Sequence, residues 1–237
     1  MTREILMIAA NRATSPVTGW PIGFWWAELS HAWLEFSRAG YEITIASPSG
    51  GDLFADAYSD PEDDSGYSGH DIVSLGFKYG TTTRNLIRNT PALADLDMEK
   101  FDALFVVGGQ SPMVTMIDDG DLHARVARHY EAGKITAAVC HGTCILLKTR
   151  LSDDSLLVAG KTWTGFADSE EAYAESAVGQ KIQPFWIETE AKKIEDTNFV
   201  TGGPLAEFAV RDGNLITGQQ QVSSAAAASK VIAALGF

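Results

Sequence analysis

Residues 134–148 read KITAAVCHGTCILLK. The apolar and β-branched run Ile135–Val139 has the composition and length of a buried strand. It stops at Cys140. His141 and Gly142 follow, and the spacing of the next residues predicts a helix. A thiol at this junction sits beyond the C-terminal end of a strand and at the N-terminus of the following segment. Free amide groups and the helix dipole there stabilise an anion, so the expectation is an acidified thiol and a nucleophilic thiolate. A sharp strand-to-helix turn also projects its apex side chain into the open. The alternative is an inert, buried cysteine that happens to end a strand. Cys144, one turn on, reads as core packing.

Working outward, apolar runs alternate with helical patterns. EILMIAA (4–10), YEITIAS (41–47) and ALFVVGG (103–109) read as strands, FWWAELSHAWLEFSRAG (24–40) as a helix closed by Gly40, and 115–132 as a helix ending before Gly133. Strands alternating with helices imply an α/β fold: a doubly wound, mostly parallel sheet with helices on both faces. EFAVRDGNLITG (207–218) differs, its Asp212-Gly213 pair between apolar runs predicting a β-hairpin. A last helix is expected over 223–235. Residues 49–83, rich in Gly, Ser, Asp and Pro, are too long for an ordinary connection and are expected to form a cap or an oligomer contact. With no repeat and no linker, one domain over 1–237 is expected.

The 237 residues are 45% hydrophobic, enough for a sizeable core. A net charge of −13 disfavours nucleic-acid and anionic-membrane partners, which require basic patches. The two cysteines lie within one turn, so a disulfide framework is not expected and a reducing, cytoplasmic setting fits. The opening MTREILMIAANRATSP reads as a strand and loop rather than an export signal, and no run approaches the roughly 20 apolar residues of a membrane helix. His31, His70, His123 and His129 are scattered without ligand spacing, so no metal is expected.

His141 is a candidate acid or base, if a third carboxylate orients it. As a neighbour of Cys140 at an elbow it is expected to diverge from the thiol. On a helical wheel Trp25, Leu29, Ala32, Trp33 and Phe36 form an apolar stripe. Glu28 and Glu35 both fall on its edge, where half-burial raises a carboxyl pKa and favours proton shuttling; the wheel does not choose between them. In VVGGQSP (106–112), Gly108 and Gly109 either present amides toward Cys140 as an oxyanion hole or form a plain turn.

AAVCHGTCILL (137–147) resembles the nucleophile elbow of the ThiJ/PfpI superfamily, within the class I glutamine amidotransferase-like group. GWPIGFWWAELSHAWLEFSRAGYEITIASPSGG (19–51), TPALADLDMEKFDALFVVGG (90–109), KTWTGFADSEEA (161–172) and DGNLITGQQQVSS (212–224) resemble further landmarks in order. The likeness spans nearly the whole chain and is strongest to the heat-shock-type branch, which includes glyoxalase III enzymes and holding chaperones. It implies a flavodoxin-like fold, a cysteine nucleophile at Cys140 with His141, Glu28 rather than Glu35 as the proton-handling acid, and oxyanion donors at Gly109 and His141. For the acid orienting His141 it offers Asp168, Glu170 and Glu171, with Glu170 favoured and Asp168 second. It implies a cofactor-independent enzyme acting on small 2-oxoaldehydes, methylglyoxal to lactate, in a cytoplasmic homodimer. The rival readings are a stress-response holding chaperone or redox sensor, and a cysteine hydrolase or hydratase on the same fold. Glutamine amidotransferase activity is least supported, because no histidine follows His141. Two departures bear on the substrate. The family's G-G-H-G turn reads Gly108-Gly109-Gln110-Ser111 here, and Trp25, Trp26 and Trp163 are expected to narrow the pocket.

Overall fold

A computed structural model describes residues 2–236; the 1–237 extent expected for the domain runs one residue past it at each end. The core strands are β1 (Glu4–Ile8), β2 (Glu42–Ala46), β3 (Ala103–Val106), β4 (Ile135–Val139), β5 (Ala209–Asp212) and β6 (Leu215–Gly218). They form one sheet in the order β5-β6-β4-β3-β1-β2. Every pair is parallel except β5–β6, the expected hairpin, which turns at Gly213 with φ +64°. Strands β3 and β4 are buried at every position, as a sheet covered on both faces requires, and they therefore read as unbroken apolar runs.

Helices α1 (Trp26–Arg38) and α5 (Ser224–Leu235) pack against each other, while α3 (Gly120–Glu131), which follows α2 (Ile72–Tyr79) in the chain, packs on β4; α4 (Asp168–Val178) carries acids to the site. Helix α1 buries Leu29, Ala32 and Phe36 of the predicted stripe completely, while Trp33 is half-buried and Trp25, also half-buried, stands just before the helix. Helix α3 starts where the Asp119 side chain accepts the Leu122 amide. The helix expected over 115–132 is split: a short turn at Pro112–Thr115 precedes α3.

Two expectations need correction. The segment after Cys140 is a 3₁₀ helix, Cys140–Leu147, not an α-helix. Thr143 Oγ1 donates to the Cys140 carbonyl at 2.7 Å, and Gly142 lies so close to β3 that a Cβ there would meet the Val107 carbonyl oxygen at 2.8 Å. The 49–83 insert holds α2, which its loop-like composition hides. Asp71 caps α2 through the Val73 and Ser74 amides, and the Ser30 and Ser74 hydroxyls join it to α1 at 2.8 Å. Among the described residues no helix is long and apolar enough to cross a membrane.

Candidate active site

Cys140 stands at the C-terminal end of β4, where ligand sites form in open parallel sheets. Its φ is +53°, a region that a residue with a Cβ occupies at a cost of about 1–3 kcal/mol. The strain turns the chain sharply and aims the thiol across the end of the sheet.

Glu28, in the first turn of α1, is completely buried. Its Oε2 accepts the Gly108 amide at 2.7 Å. Its Oε1 is buried without a hydrogen-bond partner, and the Cys140 thiol lies beside this carboxyl. Burial raises the Glu28 pKa to about 8, against the lowering effect of the neighbouring Cys140 thiol and the Gly108 amide. The carboxyl is a proton carrier at neutral pH. Glu35 instead pairs with Arg38 at 3.1 Å.

The expected acidification of the thiol does not hold in the resting site. Burial pushes the Cys140 thiol up, and the Glu28 carboxylate, when charged, pushes it further. Helix-end amides are too weak to offset the loss of water around a sulfur only 2% exposed. Nor does His141 diverge: its Nδ1 lies 3.5 Å from Cys140 Sγ. The 3₁₀ turn brings the imidazole beside the sulfur, and Phe166 stacks on it at 4.3 Å between ring centroids.

The acid behind His141 is Glu171, not Glu170. Glu171 Oε1 lies 2.8 Å from His141 Nε2, and both side chains are buried. Glu170 is used elsewhere: its carboxylate accepts the Ala167 amide, the Leu205 amide and the Gln219 Nε2 group. Asp168, the second choice, accepts the Thr189 amide and hydroxyl. Consecutive residues of α4 point about 100° apart, and the docking of the helix decides which one faces the imidazole.

The glycine turn after β3 is equally constrained. A Cβ on Gly108 would lie 2.5 Å from Glu28 Oε2 and 2.9 Å from Cys140 Cβ; Gly109 has φ +98°. Because the Gly108 amide is bound to Glu28, it is not an oxyanion donor. The Gly109 amide has no hydrogen-bond partner among the described residues.

Asp56 was not singled out by the sequence. Fully buried, it accepts the Gly23 amide at 2.9 Å and the Gln110 amide at 2.7 Å. It thereby ties the 49–83 insert to the glycine turn. Burial raises its pKa to about 7, opposed by those two backbone hydrogen bonds. It is one of several acids in a loop-like stretch, and nothing in its spacing marks it.

A cavity of about 140 Å³ opens beside Cys140 and His141. Trp20, Trp25, Tyr58, Tyr67 and Phe166 form its aromatic wall. Trp26 and Trp163 do not line it, contrary to expectation. Trp26 is buried edge-on against Phe24. Trp163 is buried against Phe199 with its Nε1 on Thr197 Oγ1 at 2.8 Å. Two more open hollows of about 670 Å³ each hold no cysteine or histidine among the described residues. Three of the four scattered histidines have structural partners: His31 with Asp71, His123 with the Met116 carbonyl, and His129 with the Ile135 carbonyl. Among the described residues no three His, Cys, Asp or Glu side chains are grouped to hold a metal ion.

The chain is similar to known proteins over nearly its whole length. Glyoxalase 3 of Candida albicans is 27% identical over 238 residues, covering 99% of this chain and 98% of that one. "Probable glutathione-independent glyoxalase hsp3103" of Schizosaccharomyces pombe is 26% identical over 260 residues, covering 99% and 98%. The crystal structure of glyoxalase III from Candida albicans shares the fold, with a TM-score of 0.81 at 24% identity over 98% of this chain and 97% of that one. The DJ-1/PfpI family model matches residues 23–234, from the approach to α1 to the last turn of α5. With its elbow, its glycine turn and nearly its whole length inside that match, the chain belongs to the DJ-1/PfpI family.

Proposed function

We propose that the protein is a glutathione-independent glyoxalase, converting a 2-oxoaldehyde and water to a 2-hydroxy acid through a covalent adduct on Cys140. The observation that carries this reading is the placement of a buried, protonated Glu28 carboxyl and the His141 imidazole against one sulfur. The relatives named glyoxalases support the reaction class.

The thiol adds to the aldehyde carbon as His141 Nδ1, 3.5 Å away, takes its proton. Glu171 orients the imidazole and stabilises the imidazolium, as the third member of a triad does. The developing alkoxide accepts a hydrogen bond from the free Gly109 amide and takes the proton of the Glu28 carboxyl, giving a hemithioacetal and leaving Glu28 as the carboxylate. That carboxylate then removes the hydrogen of the former aldehyde carbon as a proton, and the His141 imidazolium protonates the ketone oxygen as the electron pair forms an enediol across the two carbons. The protonated Glu28 returns that hydrogen to the neighbouring carbon. One carbon is oxidised to a thioester and the other reduced to an alcohol, so no external redox partner enters. Water cleaves the thioester, releasing the 2-hydroxy acid and restoring the thiol. The carbon-to-carbon transfer requires an acid whose pKa lies near the working pH, and burial supplies it for Glu28.

The test is incubation with methylglyoxal and no glutathione, with lactate measured directly. Lactate is expected from the wild type and not from Cys140→Ser. Full lactate production by Cys140→Ser, or none by the wild type on any 2-oxoaldehyde, would overturn the proposal.

A further inference from the structure

We propose that this site prefers uncharged 2-oxoaldehydes bearing an aryl group or an apolar group of similar bulk over methylglyoxal; the assignment rests on the glyoxalase reading above. Methylglyoxal presents one methyl group beyond its two carbonyls. The cavity beside Cys140 is about 140 Å³, and an apolar cavity of about 150 Å³ takes up benzene. The space is therefore about that of one six-membered ring, well beyond the single methyl group of methylglyoxal.

Its walls match such a group in kind as well as size. Trp25 and Tyr67 meet edge to face at 6.1 Å, and Trp20 lies beside Tyr58 at 6.1 Å, so two aromatic pairs frame one side. Phe166 is fixed over the imidazole. Ala174, Val178 and Ile182 add an aliphatic surface to the lining. Aromatic walls favour ring substrates through offset and edge-on contacts, and a small aldehyde would leave much of that surface uncovered.

Charge points the same way. No lysine or arginine lines the cavity among the described residues, whereas Glu170 and Glu171 do. A phosphate- or carboxylate-bearing oxoaldehyde would meet like charge and no cation. Two buried polar atoms without a partner belong to residues that line the cavity, Glu171 Oε2 on the acid behind the imidazole and Gln110 Oε1; of these Gln110 Oε1 belongs to a neutral side chain. It accepts a hydrogen bond and suits the hydroxyl groups of the enediol, which every 2-oxoaldehyde forms, so it leaves the side group to be chosen by the apolar walls.

The experiment compares kcat/KM of the full chain for phenylglyoxal and methylglyoxal without glutathione, reading mandelate and lactate. It adds Ala174→Trp, which fills space at the aliphatic wall. A second readout needs no turnover: the rates at which phenacyl bromide and bromoacetone alkylate Cys140, each divided by its rate with free cysteine. Phenylglyoxal is expected to be favoured at least about 10-fold, and phenacyl bromide by a similar normalised factor. Ala174→Trp should remove both preferences. Equal kcat/KM for the two aldehydes in the wild type overturns the inference whether or not the variant folds. A phenacyl preference with no turnover of either aldehyde overturns the glyoxalase reading, and the substrate assignment falls with it.

Discussion

Replacing Glu28 by glutamine removes a titrating proton while keeping the shape of its contacts. The amide oxygen still accepts the Gly108 N–H, and the amide NH₂ takes the place of the protonated carboxyl against the sulfur. The two proteins should therefore differ in how stability depends on pH. Below the ordinary value of 4.5, folded and unfolded chains both hold the proton and burial carries no ionisation cost. Above it the unfolded chain releases the proton, whereas folded Glu28 keeps it until about 8. The folded state thus binds more protons across that window, and stability falls as pH rises, by about 1.4 kcal/mol per pH unit. Between about pH 5 and about pH 8 the wild type should lose about 3–4 kcal/mol relative to Glu28→Gln. For a domain of this size that is about 10 °C in Tm. Thermal unfolding of both proteins in matched buffers at about pH 5 and about pH 8 measures it, because every other titrating group is common to the pair. The gap Tm(Glu28→Gln) minus Tm(wild type) should widen with pH by about 10 °C. A gap constant to within about 2 °C would refute the claim that burial keeps this carboxyl protonated.

The two neighbouring acids of α4 should separate cleanly. Glu171→Gln is expected to lower kcat by about 100-fold or more with little change in Tm, since its carboxylate serves the imidazole. Glu170→Gln should instead lower Tm by about 5–10 °C and spare most of kcat, because an amide NH₂ would face donors that now find acceptors; steady-state kinetics and melting curves on both variants check this. Gly108→Ala should lower Tm by about 5 °C or more and abolish turnover, since its Cβ would stand 2.5 Å from Glu28 Oε2. Asp56→Asn should destabilise by about 1–3 kcal/mol through the loss of one of two backbone hydrogen bonds, read by urea unfolding.

What was legible in the sequence was local. The elbow lies within five residues of the end of β4, and strand composition, a following glycine and the adjacent histidine mark it without reference to the rest of the chain. The alternation of strands and helices carried the parallel sheet, and Asp212-Gly213 carried the hairpin. Properties set by docking were not legible. The wheel put Glu28 and Glu35 on equal footing, and only the packing of α1 buries one and leaves the other with Arg38. Glu170 and Glu171 exchange roles through the docking of α4. Trp163 looked like a pocket residue because tryptophan near a site often is; its short strand instead sends the indole toward Thr197. Asp56 and the cavity-lining Tyr58 and Tyr67 lie in a segment whose composition resembles a loop, and no periodicity ties them to a site far away in the chain. The thiol's expected acidity failed for a related reason: helix-end electrostatics is readable from sequence, and burial is not.

The Ser224 hydroxyl at the start of α5 donates to the Glu28 backbone carbonyl at 2.6 Å, across 196 positions of sequence. The first helix is thus fastened to the last. Cys140 is made before Ser224, and in that interval the Glu28 backbone lacks this tether. The pairing of thiol and carboxyl is thus a property of the closed fold, set once the segment that carries Ser224 has docked.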